Sequence, residues 1–124
     1  MGYRRPELIE EISTLLNSDL RPIDIIDVHR VRSFRSGNKN FIDLHIVVPE
    51  FWNVRQAHDR AENFCASLNG ALKKPSEFHP HVEACMKAFC SHCEVKDCPI
   101  RVEAFVEKKN FTMLDVISSS EEDE

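Results

Sequence analysis

Two runs of strict alternation flank Ser36-Gly37-Asn38, and no other feature constrains the fold of this chain as tightly. From Ile23 to Phe34, Ile26, Val28 and Phe34 fall on one parity and Asp27, His29 and Ser33 on the other. From Phe41 to Val48, Ile42, Leu44, Ile46 and Val48 form one face, with Asp43 and His45 opposite. A period of two marks half-buried strands, and the Ser-Gly-Asn turn between them predicts a β-hairpin. A hairpin centred on Gly37 sets His29 directly opposite His45, with Asp27 on the same face; opposed residues bring Cβ atoms to roughly 5 Å. A slip of one residue would send one of the two imidazoles into the core.

Helical patterns stand on either side. Pro6 precedes Leu8, Ile12, Leu15 and Leu16 at helical spacing, and Glu7, Glu10 and Glu11 lie near its start. Proline and carboxylates in a first turn suit a helix N-terminus. Asn17 to Asp19 and Pro22 end that helix. Asn53 is a predicted N-cap for a long helix with Val54, Ala57, Ala61, Phe64, Leu68 and Leu72 on one stripe, closed by Gly70 and Lys73-Lys74-Pro75. A third strand is expected over Phe78 to Ala84, and a short added strand over Ile100 to Val106. The order helix, strand, strand, helix, strand predicts a two-layer α+β domain with helices on one face of a single sheet. No internal repeat is visible, and Ser118 to Glu124 reads as a disordered acidic tail.

Directly after the third strand, Cys85, Cys90, Cys93 and Cys98 form C-x4-C-x2-C-x4-C. Four thiolates at loop-compatible spacing can close a tetrahedral shell around one soft ion, most simply Zn²⁺, as a structural knuckle. A disulfide scaffold is the competing reading. An odd count of five cysteines, four of them clustered, and no export signal favour reduced thiols in the cytoplasm. Upstream, His79, His81 and Glu83 share one face of the third strand, and His58 and Glu62 are helical neighbours. Imidazole and carboxylate suit a second, exchangeable metal site. Against this, a histidine on a polar strand face is ordinarily just solvated, and Asp27, Asp43 and Glu62 read individually as solvated surface groups. Cys65 reads as a small buried hydrophobe, His92 as a spectator, and Phe51 and Trp52 as packing or interface residues.

The charge balance narrows the function. With 21 Asp+Glu against 16 Lys+Arg, the formal charge is −5. There is no basic field for nucleic acid or anionic lipid. No apolar run approaches the roughly 20 residues that span a bilayer, so direct membrane insertion is not expected.

Asp27-Val28-His29-Arg30-Val31-Arg32, Ser36-Gly37, Ile42-Asp43-Leu44-His45-Ile46 and Gln56-Ala57-His58 together resemble the cytoplasmic C-terminal domain of cation diffusion facilitator transporters. Pro6 to Ile12 is similar to the first helix after their last membrane helix, and the resemblance covers roughly residues 6–106. It implies a ferredoxin- or metallochaperone-like αββαβ fold and a V-shaped homodimer binding Zn²⁺, Fe²⁺, Co²⁺ or Cd²⁺ near its interface. Residue by residue, it implies His29, His45, His58, His81 and Glu83 as ligands of an exchangeable site. Glu83 stands where the family carries an aspartate that bridges two metals in some members, and Ala84 where it carries a proline. The cysteine stretch, ending in Cys98-Pro99-Ile100-Arg101, is similar to an extension in a subset of bacterial members.

The division expected is residues 1–84 for the αββαβ domain, 85–106 for the knuckle and added strand, and 107–124 for a C-terminal segment with its tail. The six membrane helices that such transporters carry ahead of the domain have no counterpart in the sequence, so the chain is either an excised domain or a free-standing relative. The expected function is a non-enzymatic, homodimeric sensor of cytosolic metal, partnered by a transporter of the same family. Two readings compete: an iron–sulfur or zinc-knuckle binding module, and a small zinc hydrolase with Glu62 or Glu83 as base. No H-E-x-x-H motif supports the latter.

Overall fold

The computed structural model describes residues 6–118. Helix α1 spans Pro6–Leu16, strand β1 Asp27–Ser36, β2 Lys39–Val48, helix α2 Val54–Ala71 and β3 Glu77–Ala84. A 3-10 turn, Lys87–His92, and a short helix α3, Met113–Ile117, follow. The sheet has order β1-β2-β3, antiparallel between β1 and β2 and parallel between β2 and β3. Parallel neighbours need a crossover, and α2 supplies it. The architecture is α+β, a three-stranded sheet with helices, as the alternation and stripes predict.

The ends of the elements follow local chemistry. Asn53 Oδ1 accepts the Gln56 backbone N–H at 2.7 Å, capping α2 as expected. The main core joins Leu8, Ile9, Ile12 and Leu16 of α1 with Val28, Ile42, Leu44 and Ile46 of the sheet and Ala61, Phe64, Cys65 and Leu68 of α2. Cys65 is the buried hydrophobe expected, and burial pushes its thiol up to about 12. Val54 departs from its stripe: it is the first residue of α2 and stays exposed.

β1 departs from the reading in two ways. It begins at Asp27 rather than Ile23, because the chain turns at Pro22, whose carbonyl accepts the Ile25 N–H. Ile23 is exposed and Ile25 enters the main core, while Ile26 joins a separate cluster with Val47, Phe89 and Cys93. The second departure is a bulge. His29 pairs with His45, but Arg32 pairs with Asp43, so two residues of β1 oppose Leu44 alone. Arg30 carries the turn at φ 51°, a left-handed conformation costing a side chain roughly 1–2 kcal/mol. Beyond it the parity reverses: Val31 and Ser33 are buried, and Phe34 stacks on Phe41 instead of sharing the Val28 face.

The chain after the cysteines also differs from expectation. Ile100 to Val106 forms no strand; Val102 and Val106 are exposed, and the Val106 and Glu107 N–H groups bond the Ser91 carbonyl instead of a sheet edge. Residues 107–118 return to the main core through Phe111 and Val116. Asn17 fixes this return, donating to the Phe111 carbonyl at 2.8 Å and accepting its N–H at 2.7 Å. Ser118 belongs to this folded return rather than to a tail, since its carbonyl accepts the Arg30 N–H at 2.9 Å. Residues 119–124 of the expected tail lie outside the described residues. Among the described residues, no helix is long and apolar enough to cross a membrane.

Candidate metal centre

One face of the sheet packs on the helices; the other gathers the polar side chains of three strands. Pairing is regular where it matters. His29 lies opposite His45, and His45 in turn neighbours His81 on β3, with Glu83 beside Val47. His29, His45 and Glu83 each offer one donor atom, all within 4.8 Å of one another. Among the described residues this is the one group of three or more metal-type side chains so closely gathered. Glu83 bridges the two imidazoles, with Oε1 3.1 Å from His29 Nε2 and Oε2 in contact with His45 Nδ1. Two imidazoles and a carboxylate would leave a tetrahedral ion one open position, unlike a closed four-ligand shell.

Burial is steepest at β1. His29 and Asp27 are both fully buried, against the expectation of a solvated Asp27. Asp27 Oδ2 lies 2.8 Å from His29 Nδ1, and Oδ1 lies 2.5 Å from Lys109 Nζ. Burial works to raise the Asp27 pKa, but the His29 hydrogen bond and the Lys109 ammonium outweigh it and bring the carboxyl below its usual range. The cover comes from the cysteine segment. Phe89 of the 3-10 turn stacks on His29 with ring centroids 6.5 Å apart, and packs with Ile26, Val47 and Cys93.

The other expected ligands sit differently. His81 stacks on His45 at 4.8 Å between centroids but is exposed and outside the close trio. His58 is exposed on α2, whose core stripe meets the opposite face of the sheet. Glu62 is exposed as well. His79 pairs with Glu77 at 2.8 Å and with Asp43 at 3.4 Å, away from the trio. His92 bonds the Glu107 carbonyl at 3.0 Å. Trp52 packs against the main core and carries Arg60 over its ring, while Phe51 is exposed.

The four thiols of Cys85, Cys90, Cys93 and Cys98 are free and line one cavity of about 200 Å³ with Ile26, Phe89 and Arg101. Their sulfurs are not drawn together as the trio is. Burial raises the Cys85 and Cys93 thiols, and the neighbouring cysteines add to the rise. Arg101 organises the loop by donating to the carbonyls of Cys90, Cys93 and Val95 at 2.8–2.9 Å. Sequence reasoning missed Lys109, Phe89 and Arg101. Only Arg101 left a trace there, as the end of the Cys98-Pro99-Ile100-Arg101 stretch.

A sheet face with clustered imidazole and carboxylate on an αββαβ scaffold is an arrangement that could hold a metal ion. Comparison with known proteins gives the family. Residues 5–85 match the cation efflux protein cytoplasmic domain, and the chain belongs to that family. Metal tolerance protein C1 of Arabidopsis thaliana is 33% identical over 69 residues, covering 56% of this chain but 14% of that protein's length. A solved structure of the candidate zinc transporter CzrB aligns with TM-score 0.58 at 25% identity, over 68% of this chain and all of the other. The metal-bound C-terminal domain of the CzcD transporter from Thermotoga maritima aligns with TM-score 0.53 at 26% identity, over 63% of this chain and 87% of the other.

Proposed function

We propose that this chain is a non-catalytic regulatory domain, working in the cytoplasm, that binds Zn²⁺ or a related divalent cation as a homodimer and sets the activity of a cation efflux transporter. The observation that carries this reading is the close trio of His29, His45 and Glu83. His81, stacked beside His45, would be a further ligand. His58 is best supplied by a second copy, because its own α2 packs on the far face of the sheet. Ligands drawn from two copies would bind better in a closed dimer, so metal would shift the population towards closure. The CzcD domain is described as metal-bound and CzrB as a candidate zinc transporter, which supports the same chemistry here.

The thiols complete the proposal. Cys85, Cys90, Cys93 and Cys98 would hold one structural ion, closing their shared cavity and fixing residues 85–106 against the domain formed by 1–84, with 107–124 as the C-terminal segment. Elemental analysis of protein purified without added metal, followed by zinc titration with native mass measured at each step, tests both site classes and dimerisation together. One tightly held ion per chain, further exchangeable ions and a metal-favoured dimer are expected. Absence of any exchangeable class would overturn the sensor reading.

A further inference from the structure

Asp27 and Lys109 form a buried pair that the metal reading leaves without a task. Asp27 opens β1, and Lys109 arrives from the segment beyond the cysteines. The Asp27 side chain is fully buried and that of Lys109 is 14% exposed. Each Asp27 oxygen has one partner, Oδ2 facing His29 Nδ1 and Oδ1 facing Lys109 Nζ. An ionised carboxylate only accepts, so His29 Nδ1 donates to Asp27, and by the same rule Nε2 donates to Glu83 Oε1 until an ion takes the place of that proton. The ring then directs Nε2 at Glu83, 3.1 Å away, where the trio converges.

We propose that Asp27, anchored by Lys109, is a positioning residue that fixes the His29 ring so that Nε2 points into the candidate metal centre. Carboxylates commonly orient a ligating imidazole through its other nitrogen, and losing one typically weakens metal binding about 10- to 100-fold. Lys109 has a further role in the same device. By occupying Oδ1 it keeps Asp27 from swinging round to become a ligand itself. It is also tied to the cysteine loop, since Val106 and Glu107 bond the Ser91 carbonyl at 2.7 and 3.2 Å. Phe89 holds the other side of the ring by stacking. Asp27 lies within the αββαβ unit, but Lys109 and Phe89, which brace it and the ring, come from the segment beyond β3.

The inference rests on the metal reading for its purpose but not for its geometry, and the test separates the two. In metal-free full-length chain, the His29 Nδ1 proton should appear in long-range ¹H–¹⁵N spectra, assigned against His29→Gln, and exchange slowly with solvent. In Lys109→Met that proton should exchange about tenfold faster or more, with Lys109→Arg restoring protection, because only a cationic anchor holds Oδ1. Asp27→Leu should abolish the signal and weaken zinc binding at the exchangeable class about 10- to 100-fold, read by chelator competition. If Asp27→Leu does not fold, the lysine pair carries the test. An unprotected Nδ1 proton in the wild type, unchanged protection in Lys109→Met, or wild-type zinc affinity in Asp27→Leu would each overturn the proposal. A protected, lysine-dependent proton in a chain that takes up no exchangeable zinc would support the positioning role and sink the metal reading instead.

Discussion

His29, His45 and Glu83 hang from three paired strands, whereas Cys85, Cys90, Cys93 and Cys98 follow one another along a segment whose only regular element is one 3-10 turn. The first group is drawn together by the backbone ladder, and its donors lie within 4.8 Å. The second lines a cavity without closing on a point. Neighbouring strands stand about 4.8 Å apart, so side chains on one face of a sheet meet at near-ligand distance without further work. Thiols on a loop have no such ruler, and under the proposed function an ion would be what gathers them. A pre-formed site can release its ion and keep its shape; a gathered one cannot.

That contrast can be broken by experiment. The largest effect should come from the thiols: Cys90→Ser, or chelation of the proposed structural ion, should cost more than about 5 kcal/mol and lower the melting temperature by about 15 °C or more. An unchanged melting temperature with metal still bound would remove the structural role. Next comes the wall the two sites share. Phe89 is buried beside both His29 and Cys93, and Phe89→Ala should destabilise the fold by about 3–5 kcal/mol, measured by urea unfolding. It should also loosen metal binding at both sites, whereas damage to one alone would show that they are mechanically separate.

A smaller effect sharpens the histidine side. His45→Ala with His81→Ala should weaken exchangeable zinc binding about 100-fold while leaving one tight ion per chain and the melting temperature within a few degrees. The smallest concerns a control pair on the same face. The hydrogen bond to Glu77 holds the His79 pKa above 6.5, and the His79 bond holds Glu77 below 4.5. His79 therefore stabilises the fold below its unfolded value of 6.5, an effect lost as pH rises through the folded value. Glu77 acts above 4.5 and fades as pH falls through its own folded value. His79→Gln should cost slight stability near pH 5.5 and nothing measurable at pH 8; exposure keeps the effect small.

Much of the sheet was legible because its signals are local. Alternation around Gly37 was enough to place His29 opposite His45, and the same period put His81 and Glu83 on the matching face of β3. The bulge was not legible, since a left-handed residue usually announces itself as glycine or asparagine and here it is Arg30. Nor was the burial of Asp27. A strand's outward face is exposed or covered according to what later chain lies on it, and here the cover is Phe89 and Lys109. The return of residues 107–118 was hidden for a related reason: Phe111 and Val116 show no period of their own and find their place only against α1 and β1.

The carbonyl of Ser118 on the amide of Arg30 has an effect on how copies of this protein can grow together. β1 is an outer strand, and an outer strand with free amides invites another sheet to add to it edge-on. Here the kinked backbone and the returning chain occupy that border at Arg30, which works against ribbon-like polymerisation through β1. At the opposite border, β3 is laddered among the described residues to β2 alone, and it is the strand that carries His81 and Glu83.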